Sequence, residues 1–349
     1  MAVDTELDRF TLTTTELAVP HGSGKLVCVA CAHRCKLSDG RRGVCLVRSR
    51  EGEALRVPWG YTAGVAVDPI EKKPFFHVLP GSNALSFGML GCDMHCDYCQ
   101  NWFTSQTLRD PSSSTQARPA RPGALVDAAV ASGCRAVVST YNEPLITAEW
   151  AHEVFEAARI KGLLTGFVSN GHGTPEVLDY LKPVTDLYKV DLKSFRERTY
   201  RQLGGHLNAV LDTIRGLHER GLWVEVVTLL VPGYNDEEAE LRDLAGFLAS
   251  VSGDIPWHVT AFHPDYRMGD RHRTSARMLA RARVIGREQG LRFVYAGNLP
   301  GGIPDGENTV CAECGGTLVE RFGFRVTSNR ITPGGTCPDC RTPIPGVWS

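Results

Sequence analysis

The sequence predicts an α/β fold: a TIM-like (β/α) barrel, complete or partial, with a Cys-rich module ahead of it and a short metal-stapled tail behind. Three observations predict it. Apolar runs rich in β-branched residues alternate with helix-period stretches from about residue 84 to 298, the pattern of repeated βα units around a parallel sheet. Small, polar or Gly/Pro-containing motifs stand where these runs stop, and strand ends are where such folds carry their sites. Every one of the 12 cysteines except Cys134 falls into one of three tight groups.

Residues 1–80 are rich in Gly, Pro and Cys turns and read as an N-terminal metal-binding module. Cys28, Cys31, Cys35 and Cys45 supply four thiolates in a Gly- and Arg-containing loop. That set suits zinc or an auxiliary iron–sulfur cluster, with zinc preferred and His33 read as solvated. Residues 81–305 form the barrel, with strands expected near 84–90, 135–140, 163–169, 186–192, 222–231, 255–262 and 292–296. Between them, stretches 147–162, 174–183, 207–221, 235–251 and 274–290 have amphipathic spacing, and several open on Thr or Asn and close at Gly or Pro, as capped helices do. Residues 104–123, TSQTLRDPSSSTQARPARPG, have no apolar period and read as a crossover loop. Cys134, beside Gly133, reads as a buried small hydrophobe.

Residues 306–349 carry two Cys-x-x-Cys knuckles, Cys311/Cys314 and Cys337/Cys340, separated by a stretch that reads as a β-hairpin. Paired knuckles at this spacing predict a zinc ribbon, whose metal would stabilise a fold too short to bury a sufficient core.

The central group lies in MLGCDMHCDYCQNW, where Cys92, Cys96 and Cys99 give three thiolates. A four-iron cluster takes four ligands, so one iron is left open to a substrate or cosubstrate, as in catalytic metal sites. His95 completing a zinc site is the alternative. The Cys-x3-Cys-x2-Cys spacing after a first strand, with Tyr98 ahead of the last cysteine, resembles the radical S-adenosylmethionine (SAM) superfamily signature. That resemblance implies a 4Fe-4S cluster whose open iron is chelated by SAM, and reductive cleavage of SAM to a 5′-deoxyadenosyl radical.

The strand-end motifs STYNEP, SNGHG, KVDLKS, LLVPGYND and AFHPDY, with CVACAHRCKLSDGRRGVCLVR and KKPFFHVLPG, resemble the activase-like branch of that superfamily, and more narrowly the AmmeMemoRadiSam system radical SAM enzymes. The resemblance implies a barrel of the radical SAM type. It also implies that Asn142 and Glu143 meet the SAM amino group, in a Tyr-Asn-Glu-Pro that replaces the branch's usual Gly-Gly-Glu-Pro. Ser169 and Asn170 would lie near the methionine moiety, Asp191 and Lys193 near the ribose and carboxylate, and His263 near the ribose. Tyr98 completes the set. Asp191 and Lys193 are two residues apart and so share one face of a strand; a lysine suits a carboxylate and an acid suits a hydroxyl or ammonium.

The formal charge of −1 gives no global field for nucleic acid or an anionic membrane, and the hairpin's basic patch is weak. No apolar run reaches the length of a membrane span and the polar start lacks a signal-peptide pattern, so the expected location is cytoplasmic. The expected function is radical hydrogen abstraction from a small-molecule substrate or one presented by a dedicated partner, with a flavodoxin or ferredoxin as electron donor. The alternative is an activase that installs a glycyl radical on a partner protein. A non-catalytic metal scaffold would account for the cysteines but not for the polar strand ends.

Overall fold

The structure, a computed structural model, describes residues 6–22 and 24–349. Its centre is an eight-stranded sheet, with β1 (Gly64–Pro69), β2 (Asn83–Gly88), β3 (Cys134–Ser139), β4 (Leu164–Ser169), β5 (Leu187–Asp191), β6 (Trp223–Leu230), β7 (Trp257–Ala261) and β8 (Val294–Gly297) lying side by side in that order. From β2 to β8 every pairing is parallel. Each strand adds on the same side of its predecessor, the order of a barrel rather than of a doubly wound sheet. The sheet has two ends, β1 and β8. The central strands read as near-continuous apolar runs because helices cover them, as parallel sheets require; β7 is buried along its whole length.

The helices fall where amphipathic spacing places them, at Ala148–Ile160, Pro175–Leu181, Leu207–Glu219, Glu238–Val251 and Ala276–Glu288. Thr174 and Ser275 cap two of these, accepting from the amides of Val177 and Met278. Two further helices, Pro122–Ala131 and Glu197–Leu203, lack a legible period: the first is Ala-rich and buries only Leu125, Val126 and Ala129, the second is a mostly polar pair of turns. No helix among the described residues is long and apolar enough to cross a membrane.

The N-terminal region does not stop short of the central sheet. β1 lies within it and pairs antiparallel with β2 along its whole length; its six residues alternate in exposure, too short a run to stand out among turns. Ahead of β1, six short strands make two small antiparallel sheets. The crossover after the cysteine loop is tethered as well, since Arg118–Pro119 pairs with Tyr61–Thr62.

After β1, residues 70–80 form a strap that a buried polar network fastens to the sheet. Glu225 on β6 accepts from the amides of Phe76 and His77, from Trp223 Nε1 and from His258 Nε2. The ring of His77 donates from Nδ1 to the Pro345 carbonyl at 2.7 Å and accepts at Nε2 from the Tyr295 hydroxyl at 2.6 Å. Tyr295 in turn meets Thr309, which accepts from Arg321. Strap, β8 and C-terminal tail are thus one hydrogen-bonded unit. The tail is a three-stranded antiparallel sheet, β9 (Thr309–Val310), β10 (Thr317–Phe322) and β11 (Arg325–Asn329), whose last two strands are the expected hairpin.

Candidate active site

The loop that follows β2 carries the three central cysteines. Two glycines fix its course. A Cβ on Gly88 would lie 2.5 Å from the Thr140 carbonyl oxygen, and Gly91 has φ +94° with a Cβ position 2.9 Å from Val47, so the loop turns where no side chain fits. Asn142 holds the start of the loop by accepting from the Met89 amide, Gln106 donates to the Met94 carbonyl, and the His95 amide donates to the Leu203 carbonyl. Cys92, Cys96 and Cys99 then share the wall of a recess of about 90 Å³ with Asn142, Glu143, Ser169, Asn170, Asp191 and Lys193. These polar residues come from the ends of β3, β4 and β5. Burial pushes the Cys96 thiol up to about 12, with the Lys193 ammonium pulling the other way. A thiolate in such a place needs a cation beside it, and three soft ligands around one recess suit iron–sulfur ligation.

Glu143 is sunk behind the recess. Its Oε1 accepts from Ser169 Oγ at 2.7 Å and from the Leu145 amide at 3.0 Å, and its Oε2 accepts from the Asn170 amide at 2.7 Å. Burial, with the Asp93 charge nearby, pushes its carboxyl up to about 8. Once a cation beside it offsets that burial and holds it ionised, the carboxylate has about four acceptor positions, so the three bonds that tie β3 to β4 leave one for that donor. Asn170 donates to Asp93 Oδ1 at 2.8 Å and accepts from the His172 amide, so it shapes its turn as well as lining the recess.

Asp191 sits between two ammonium groups, hydrogen-bonded by Lys189 and 3.6 Å from Lys193. Sequence reasoning missed Lys189, although the inward period of Lys189, Asp191 and Lys193 is legible in KVDLK. Burial outweighs Asp191 and lowers the Lys189 ammonium below its usual range. It also missed Asp93 and His172, a fully buried pair 2.9 Å apart directly behind Cys92, for which the only signal was the histidine of SNGHG. His33 is not solvated: its Nε2 is 3.0 Å from the Asp93 carbonyl and its ring packs edge-on to His172. His263, half-buried at the end of β7, has its Nδ1 3.3 Å from the Pro264 carbonyl and belongs to the walls of neither the recess nor the chamber beyond it. His95 contributes its backbone amide to the loop.

The recess opens into a chamber of about 380 Å³ that shares Cys96, Cys99, Tyr141, Asp191 and Lys193 with it and adds Tyr98, Lys189 and Thr260. The strap contributes Lys72, Lys73 and Pro74, and the hairpin tip contributes Phe324. Both terminal regions therefore reach the wall of the cavity that the cysteine loop faces.

The two outer cysteine groups differ. The sulfurs of Cys311, Cys314, Cys337 and Cys340 all lie within 4.8 Å of one another, with Cys311 to Cys340 at 3.6 Å and Cys314 to Cys337 at 3.7 Å. Four thiolates about 2.3 Å from a tetrahedral ion would stand about 3.8 Å apart, so the donor set is sized for one ion. The N-terminal four make no such group among the described residues; Cys31 instead groups with Asp93 and His172. Cys28 accepts from the buried guanidinium of Arg48 at 3.2 Å, and Arg48 is clamped by both oxygens of Glu149. The four thiols remain close enough to act on one another electrostatically, a looser arrangement than one tetrahedral ion requires. Cys134 is buried and, among the described residues, joins none of the metal-sized groups.

The profile described as "Radical SAM superfamily" matches residues 88–245. An uncharacterised protein of Methanocaldococcus jannaschii is 35% identical over 302 residues, 86% of this chain and 89% of that protein. The pyruvate formate-lyase 1-activating enzyme of Escherichia coli K12 is 25% identical over 224 residues, 62% of this chain and 90% of that enzyme. Among solved structures, a radical SAM methyltransferase from Sphaerobacter thermophilus superposes with a TM-score of 0.51 at 14% identity, over 83% of this chain and 78% of that one, a likeness of fold.

Proposed function

This chain belongs to the radical SAM superfamily and is an enzyme, and from that premise we propose that it cleaves SAM at a 4Fe-4S cluster held by Cys92, Cys96 and Cys99 and abstracts hydrogen from a small molecule. When bound, the cluster supplies the electron that splits the SAM sulfonium and yields a 5′-deoxyadenosyl radical. The observation that carries the reading is the single recess in which three thiols meet the polar ends of β3, β4 and β5. Around it, Glu143 has one acceptor position for an ammonium, Lys193 offers a carboxylate its charge, and Asp191 offers acceptors to hydroxyls. Tyr98 extends the wall towards the chamber. His263 stands apart from these residues, in neither cavity wall. Anaerobic reconstitution with iron, sulfide, SAM and a flavodoxin or ferredoxin as donor tests it: 5′-deoxyadenosine forms, and Cys96→Ala abolishes it. Undiminished product from that variant would refute the cluster assignment.

A small substrate is favoured because the strap and Phe324 wall the chamber, and enclosure shields a radical from water. The motifs in residues 28–48 and KKPFFHVLPG support placement with the AmmeMemoRadiSam enzymes. The similarity to a pyruvate formate-lyase activating enzyme favours a second reading, glycyl-radical installation on a partner protein. Electron paramagnetic resonance on the reduced enzyme with SAM and candidate partners separates the two: a stable glycyl doublet on a partner means activase.

For the tail we propose a zinc ribbon at Cys311, Cys314, Cys337 and Cys340, on the strength of the sulfur spacing. For Cys28, Cys31, Cys35 and Cys45 the looser arrangement favours an auxiliary iron–sulfur cluster over zinc. Iron and zinc content of the reconstituted protein and of Cys45→Ser distinguishes them.

A further inference from the structure

The chamber beyond the recess is charged in a way the chain as a whole is not. The net charge is −1 over 349 residues, yet the charged groups in the chamber wall are Lys72, Lys73, Lys189 and Lys193 against Asp191 alone. Each acid is shared between two bases. Asp68, behind the strap, meets Lys72 at 2.8 Å and Lys73 at 3.0 Å; Asp191 meets Lys189 and Lys193. Each Lys–Asp–Lys triad thus carries one surplus positive charge. Lys73 and Lys189 are about as buried as core residues, at 4% exposure each, and burying surplus charge is costly unless a counter-charge meets it.

The fold holds this surplus in place. Lys73 Nζ lies 3.3 Å from the Tyr141 hydroxyl and above its ring at 5.0 Å, while that hydroxyl meets Ser86 on β2. Tyr141 keeps φ at +71° to do so, a left-handed conformation that a bulky residue retains only where its surroundings enforce it. A lysine ammonium has three donors; Asp68 and Tyr141 engage two of those on Lys73. Under the functional reading above, SAM's carboxylate answers the Lys189–Asp191–Lys193 surplus. The surplus on the strap then faces whatever else enters the chamber.

We propose that the substrate is an anionic small molecule whose carboxylate or phosphate group seats against Lys73 and Lys72, with its body extending towards the recess. The proposal rests on the radical SAM reading for its geometry, since the reacting carbon must lie between the strap lysines and the cysteine loop. A lysine is a point charge that accepts either anionic group, so the two are separated by experiment.

The test is calorimetric titration of the anaerobically reconstituted full chain, SAM present, with succinate, with inorganic phosphate and with the neutral diamide succinamide. At least one anion is expected to bind at least ten-fold more tightly than succinamide. Its affinity is expected to fall at least ten-fold in Lys73→Met and to be largely kept in Lys73→Arg. Succinate ahead of phosphate assigns a carboxylate substrate, the reverse a phosphate ester, and equal binding a site for either. Should Lys73→Met fail to fold, Lys72→Ala, at a half-exposed position, is expected to weaken the same anion several-fold. No anion preference in the unaltered protein, or binding unchanged in the folded variants, would overturn the proposal. Formation of 5′-deoxyadenosine by the unaltered protein is followed separately, so failure of the radical chemistry and failure of anion recognition give different results.

Discussion

Asp191 holds two ammonium groups, and that decides what its removal does. Asp191→Asn leaves the buried Lys189 without its counter-charge, which costs about 1–3 kcal/mol and removes the charge that opposes the lowering of that ammonium by burial. Lys193→Met is the cleaner probe of SAM binding, because Lys193 Nζ stands 3.6 Å from Asp191 while Lys189 keeps the carboxylate paired. We expect Lys193→Met to weaken SAM at least ten-fold in equilibrium titration while apo stability changes by less than about 1 kcal/mol; equal SAM affinity would assign the lysine to the fold alone. Glu143→Gln should behave differently. Its carboxyl accepts from Ser169, Leu145 and Asn170, and an amide nitrogen in place of one oxygen faces donors, so both SAM affinity and stability should fall, the latter by about 1–3 kcal/mol in urea unfolding. At this scale the sequence showed which residues stand at strand ends, because apolar runs stop at them. It concealed their partners. Lys189 lies inside an apolar strand, and Asp93 and His172 are 79 positions apart in sequence, a pairing no local pattern reveals.

Among the elements, the strap is where sequence reading was least informative and the structure most. Lys72, Lys73, Phe76 and His77 were visible only as the motif KKPFFHVLPG. Their placement depends on Glu225, about 150 residues away, and on the C-terminal Pro345, Tyr295 and Arg321. The parallel strands were legible because burial on both faces demands continuous apolar runs. β1 was not, because an edge strand exposes Val65 and Val67 and reads as a turn-rich stretch. The strap gives a pH prediction. Burial lowers the His77 imidazole to about 4 from 6.5, with Glu225 opposing and Arg321 and His258 adding to the effect of burial. The fold therefore binds the neutral ring, and the unfolded chain takes up the proton first as pH falls. The resulting stability is complete above pH 6.5 and is lost as pH drops from 6.5 towards 4, at up to about 1.4 kcal/mol per pH unit. His77→Gln, whose amide can still donate to Pro345 and accept from Tyr295, lacks this titration. Between pH 7 and 4 its unfolding free energy should fall by about 2–3 kcal/mol less than that of the unaltered apo protein; parallel pH curves would place the dependence elsewhere.

Over the whole molecule, one core runs from the N-terminal sheets through the central sheet, while the tail joins it through a smaller cluster in which Leu318, Val319 and Ile344 pack on Phe76, Phe293 and Tyr295. That cluster is small beside the main core, so the tail's own order should depend on its four thiolates and the ion they are sized for. The tail also closes part of the chamber through Phe324, so its stability and the enclosure of the site are linked. Stripping the metal with a chelator, verified by metal analysis, should therefore act in two places. Hydrogen exchange and limited proteolysis should rise across residues 311–340, while the strands from Asn83 to Ala261 keep their protection because none of their residues packs in the tail's cluster. The indole fluorescence of Trp348, whose Nε1 donates to the Ile344 carbonyl, should change with them. Cys337→Ser should reproduce the effect without chelator, since three thiolates and a hydroxyl hold the ion less tightly. Full protection of residues 311–340 after verified metal loss would mean that docking on Phe76, Phe293 and Tyr295 alone folds the tail, and that closure of the chamber does not depend on the ion.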